Sequence, residues 1–158
     1  MSRATVELDL DAVGRASSGN VFSGIWLDVD GLAFPQRGWS DFSVVMLSWW
    51  LPSAEALLRL NSPQSLRFME GPYAVVLETP PDRSGQWLVR CTEQGQRTRV
   101  ALESAVDSMT LTSSLSSQSR RLLTVCRDKQ WWNDDCDALE RAINTLERAA
   151  RRASISPV

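Results

Sequence analysis

Thr5-Val6-Glu7-Leu8-Asp9-Leu10-Asp11 alternates apolar and acidic side chains. After a loop-like stretch (12–20, with Gly14, Ser17, Ser18, Gly19 and Asn20), Val21-Phe22-Ser23-Gly24-Ile25-Trp26-Leu27-Asp28-Val29-Asp30 alternates again and ends at Gly31. A period of two is the mark of a half-buried strand. Val6, Leu8 and Leu10 take one face of the first strand, and Glu7, Asp9 and Asp11 the other. In the second, Val21, Ser23, Ile25, Leu27 and Val29 oppose Phe22, Gly24, Trp26, Asp28 and Asp30. Antiparallel pairing of the two brings Glu7, Asp9, Asp11, Asp28 and Asp30 onto one surface, with Trp26 and Phe22 beside them.

Working outward, Leu32-Ala33-Phe34 reads as a short third strand before Pro35. Ser40 is a plausible cap for a helix beginning at Asp41, whose Phe42, Val45, Met46 and Trp49 fall at helical spacing. Pro52 is expected to kink or restart that helix, and Asn61-Ser62-Pro63 to stop it. Residues 65–78 form a hairpin around Glu70-Gly71-Pro72. The spans 86–92 and 97–102 pair across a turn at 93–96. A helical pattern follows from about Glu103 to Arg127, with Val106, Met109, Ser113, Leu122, Val125 and Cys126 inward. Trp131-Trp132-Asn133 breaks it, and a last helix runs from Asp134 to about Arg152 on Leu139, Ala142, Ile143, Leu146 and Ala149. The expectation is one α+β domain over 1–158, with a short flexible tail at 153–158. Its mainly antiparallel sheet has about six to seven strands, with an aromatic-rich helix inserted mid-chain and two C-terminal helices on one face.

Composition narrows the chemistry. The chain has 158 residues, 43% hydrophobic, 17 basic and 19 acidic, and no histidine. One domain is usually about 100–150 residues, large enough to hold a core without disulfides or metal. Without histidine there is no Ser-His-Asp triad, no Cys-His pair and no His-based metal site. No P-loop or dinucleotide-binding fingerprint is present. No signal peptide or apolar span is visible, which points to a cytoplasmic protein off the membrane. Cys91, Cys126 and Cys136 contain no C-x-x-C. They read as reduced buried thiols, the alternative being one disulfide with a spare thiol. The formal charge is −2 and the pI near 5.2, which argues against nucleic acid as partner. Residues 1–55 hold Arg3, Arg15 and Arg37 against seven acids, a net of −4, while 111–158 is mildly basic.

The acidic hairpin face therefore has three readings: a solvated outer face, a docking surface for a basic protein, or a metal or carboxylate-catalytic site. Asp28-x-Asp30-Gly31 lacks the downstream Glu of a calcium loop. The seven tryptophans (26, 39, 49, 50, 87, 131, 132) fit either core aromatics or a sugar-binding platform. A cysteine nucleophile has no histidine base to activate it.

Trp39-Ser40-Asp41-Phe42-Ser43-Val44-Val45-Met46-Leu47-Ser48-Trp49-Trp50, Leu66-Arg67-Phe68-Met69-Glu70-Gly71-Pro72-Tyr73 and Trp87-Leu88-Val89-Arg90-Cys91 together resemble small bacterial proteins. Many of these are similar to the immunity proteins of polymorphic toxin and contact-dependent inhibition systems. The resemblance spans roughly residues 25–145 and names no catalytic residue. It implies a cytosolic single-domain binder that neutralises a cognate toxin by contact. The expectation is thus a non-enzymatic module, without cofactor or metal, that meets a cognate toxin or other electropositive protein through Glu7, Asp9, Asp11, Trp26, Asp28 and Asp30. The competing functions are a small-ligand or sugar-binding domain (or carboxylate-dependent enzyme) built on the Trp/Asp cluster, and a homodimer formed through the apolar helix 41–51.

Overall fold

The opening alternation builds a hairpin. In the computed structural model, which describes residues 2–155, β1 (Ala4–Arg15) pairs antiparallel with β2 (Val21–Val29). Ala4 lies opposite Val29, Val6 opposite Leu27 and Leu8 opposite Ile25, so the apolar sets of both strands meet on one face. Ala4, Val6, Val21, Ile25, Leu27 and Val29 are all buried. β3 (Leu32–Phe34) and β4 (Ser40–Asp41) both pair with β2 and complete a four-stranded sheet. After helix α1 (Ser43–Leu60), strands β5 (Gln64–Arg67), β6 (Tyr73–Glu78), β7 (Gln86–Glu93) and β8 (Arg99–Asp107) form a second antiparallel sheet in sequence order. Helices α2 (Ser108–Asp128) and α3 (Asp134–Ile155) close the chain.

The α+β class, the antiparallel pairing and the helix layout are as the pattern predicts. Among the described residues the strands number eight and divide between two sheets, where the pattern suggested one sheet of six to seven. A single parallel bridge, Ser2 to Val106, joins the sheets, with the Asp107 N–H donating to the Ser2 carbonyl at 3.1 Å. α3 packs on α1 and α2, α1 lies on β2 and β5, and α2 lies along β1, where Ser114 Oγ accepts the Val6 N–H at 2.9 Å. No described helix is long and apolar enough to cross a membrane. Of the expected tail, 153–155 belong to α3, and 156–158 lie outside the described residues.

Several local boundaries differ for identifiable reasons. Ser40 caps nothing: it sits in β4, and α1 starts at Ser43 behind Phe42. Pro52 neither breaks nor restarts α1; it stands on the exposed side, where water can take up the carbonyl it leaves unbonded. The buried stripe of α1 is Val44, Met46, Leu47, Trp50, Leu51, Ala54 and Leu57, so Trp50 enters the core while Trp49 is 50% exposed. Residues 103–107 extend β8, pairing with 86–90, because cross-strand bonds outweigh helical spacing there. Asp107 then caps α2, its Oδ2 accepting the Thr110 N–H at 2.9 Å and the Thr110 hydroxyl at 2.6 Å. The inward face of α2 is Leu111, Leu115, Ser119, Leu122 and Cys126; Met109 and Val125 are only half-buried and Ser113 is exposed.

The two sheets are held in place by a polar knot inside an aromatic cluster. Asp41, 2% exposed, accepts from the Phe42 N–H at 2.8 Å, the Glu70 N–H at 3.0 Å and Trp39 Nε1 at 3.1 Å. Trp39 meets Phe68 and Tyr73 edge-on, Phe34 meets the same two rings, and Trp50 meets Phe68 at 5.0 Å between centroids. Trp50 Nε1 donates to the Arg67 carbonyl at 2.8 Å. Asp41→Ala strands three donors at once. It should lower stability by about 3 kcal/mol, seen as a fall in the urea midpoint at unchanged slope.

Candidate functional site

The register of the first hairpin decides which expected site residues share a surface. Thr5 lies opposite Asp28, Glu7 opposite Trp26 and Asp9 opposite Gly24. Directly opposed side chains point to the same face with β-carbons about 5 Å apart. Glu7, Asp9, Trp26 and Asp28 therefore form one contiguous patch, all of them half-buried. Asp11 lies within the irregularity between Asp9 and Gly14, outside the paired ladder, and is exposed. Asp30 lies in the β2–β3 turn at φ 50° and is also exposed. The structure thus brings four of the six residues onto one sheet face and sets the other two at its margins.

The floor of the patch is made by small residues under aromatic rings. A β-carbon on Gly24 would stand 2.8 Å from the Asp9 β-carbon and 3.4 Å from the Trp26 ring. A β-carbon on Gly14 would stand 2.4 Å from the Phe22 ring. Each ring lies down over a glycine because no side chain is there to lift it.

Local uncharged donors orient most of the carboxylates. The Thr5 hydroxyl donates to Glu7 at 3.0 Å, the Asp11 N–H to Asp9 at 3.1 Å, the Gly31 N–H to Asp28 at 2.9 Å and the Arg3 N–H to Asp30 at 2.8 Å. The Arg3 backbone N–H, helped by the Ser2 side chain, holds the Asp30 carboxyl below its ordinary value. Among the described residues no arginine or lysine forms an ion pair with them. Among the described residues the ion pairs are Arg59–Glu55, Arg90–Glu78, Arg90–Glu103, Arg99–Glu93, Arg120–Glu147 and Arg127–Glu140, all outside the first sheet.

Arg3, Thr5, Glu7, Asp28, Asp30 and Gly31 line a shallow depression at one end of the patch; Trp26 is not among its walls. Among the described residues no three acidic or thiol groups are arranged to hold a metal ion. Of the other tryptophans, Trp50 and Trp87 are core residues. Trp131 has Arg15 and Lys129 within 5.8 and 5.3 Å of its ring, and Trp132 has Arg127 at 4.4 Å. Trp26 alone among the tryptophans belongs to the acidic face.

One residue of this surface was missed in the sequence. Arg3 stands on the rim of the depression. The hairpin register carried the signal for Arg3, since Ala4 opposite Val29 brings Arg3 to Asp30, and the Asp30 N–H does donate to the Arg3 carbonyl. Comparison with protein-family models, curated proteins and solved structures finds no match to the chain.

The lowered Asp30 value has a definite sign. Its hydrogen bonds stabilise the fold above the carboxyl's unfolded value of about 3.9, and that contribution is lost as pH falls through the lower folded value. Asp30→Asn keeps an acceptor, suits the left-handed backbone and does not titrate. Urea midpoints of the variant should therefore fall less steeply than wild type as pH drops below about 4; parallel curves would contradict this assignment.

Proposed function

We propose that this protein is a non-enzymatic binding module of the immunity type, cytoplasmic, which docks its acidic hairpin face on a basic toxin or another electropositive protein. One observation carries the reading: the carboxylates of the first sheet are oriented by neutral donors and matched by no cation among the described residues, while those paired with arginine lie elsewhere. Exposed ion pairs add little to stability, typically about 0–1 kcal/mol, so unpaired carboxylates on a sheet face cost the fold little and remain free for a partner. Half-buried Trp26 supplies an aromatic anchor at the centre, suited to protein contact. Unpaired carboxylates raise the association rate with a basic partner and make it salt-sensitive. Toxins that act on nucleic acid are commonly basic, and a face of this kind can occupy the same cleft.

The test is capture of partners from the protein's own cells on the tagged full chain at low and high salt. An electropositive protein should be retained at low salt, released at high salt and lost from the Glu7→Lys/Asp9→Lys/Asp28→Lys variant. For the purified pair, the triple reversal should slow association at least ~10-fold and flatten its salt dependence. Recovery of no partner, or equal binding by the reversed variant, would overturn the proposal.

A further inference from the structure

Trp87 sits on β7 opposite Val106 and is 3% exposed. Buried indoles ordinarily donate their N–H to a partner. Trp39 donates to Asp41, Trp50 to the Arg67 carbonyl and Trp132 to Asp137. Among the described residues Trp87 Nε1 has no acceptor, yet the one side-chain polar atom both unpartnered and sealed from solvent is Ser119 Oγ. The Trp87 N–H is therefore not sealed: it opens onto the cavity whose wall Trp87 helps to form.

That cavity, about 320 Å³, lies where the end of α1, the start of β7, the start of α2 and the end of α3 meet. Leu57, Leu58 and Met109 give it apolar walls beside the indole, and half-buried Thr79 and Gln86 add a hydroxyl and an amide. The turn before β7 is pinned to the start of α2, the Ser108 N–H and hydroxyl both donating to the Gly85 carbonyl at 3.0 Å. No Asp, Glu, Lys or Arg lines the cavity, so it shares no residue with the carboxylates of the acidic face. Small-molecule sites have this size and this make-up, mostly apolar walls with a few placed polar groups.

We propose that this cavity binds a neutral small molecule with an apolar body and a carbonyl oxygen, the oxygen accepting from the Trp87 N–H. An ionised group taken out of water there would meet no opposite charge, which selects against charged ligands. The indole is a donor only, so what it lacks is an acceptor, and a carbonyl supplies one without bringing a donor of its own.

The experiment follows the seven indole N–H signals of the isotope-labelled full chain by NMR during titration with acetophenone. Two molecules of the same shape serve as controls: α-methylstyrene, which replaces the carbonyl oxygen by carbon, and benzoate, which is charged. Acetophenone should move the Trp87 indole proton downfield to saturation, and α-methylstyrene should not move it downfield. Benzoate should bind at least ~10-fold more weakly than acetophenone. The Trp87→Phe chain, followed through the Met109 methyl signal, should bind acetophenone ~5-fold more weakly and α-methylstyrene as before. A Trp87 signal that acetophenone leaves unchanged means that water is its partner, and this would overturn the proposal. So would an equal downfield shift with α-methylstyrene, or benzoate binding as tightly as acetophenone.

Discussion

A carboxylate removed from water must find its donors within the protein, and Asp41 takes them from separate segments: its own helix entrance, the indole before it and the backbone of the β5–β6 turn. Those bonds hold the end of the first sheet against the start of the second. Around them Phe34, Trp39, Trp50, Phe68 and Tyr73 interlock edge to face, each ring fixing the angle of the next. Among the described residues the backbone ladders of the sheets touch at one bridge only. Their relative placement therefore rests on this knot and on the helices packed beneath them. An unmet donor here costs more than a typical made bond contributes, so the knot is satisfied as a whole or lost as a whole. Everything on the outer face of the first sheet is aimed by it.

Much of this was legible in the residues, and the exceptions share a cause. The alternation at 5–11 and 21–30 named both faces of the hairpin, and Glu70-Gly71-Pro72 named a turn, because strand period and turn chemistry are local. The division into two sheets was not legible: alternation says which side of a strand is buried, not which strand lies beside it. Asp41 looked like the first residue of a helix because its burial depends on Trp39 and Glu70, the latter 29 residues away. The end of β8 was mistaken for helix because Val106 suits either period, and its pairing with Trp87 decided the matter. At the candidate site, Glu7, Asp9, Trp26 and Asp28 could be grouped from parity alone. Asp11 could not be set apart from them, because the irregularity after Asp9 has no marker in composition.

The distribution of ion pairs gives the net charge a different meaning. A total of −2 suggests near balance. In the second sheet and the helices the balance is local, with Arg90 bridging Glu78 and Glu103 and Arg120 holding Glu147. On the first sheet the neighbours of the carboxylates are hydroxyls and backbone N–H groups, which orient charge without cancelling it. The field outside such a face reaches about 8 Å at physiological salt, far enough to act before contact.

Gly24 allows the Trp26 ring to lie on the sheet and Asp9 to pack beside it, so any side chain at that position would disturb both. The acidic residues above it have no comparable constraint: each is exposed or half-exposed, and most make a single local bond. Substitution is therefore costly in the platform and cheap in the charges that stand on it. A lineage carrying this fold can rewrite the charges it presents while the platform beneath passes unchanged from one version to the next.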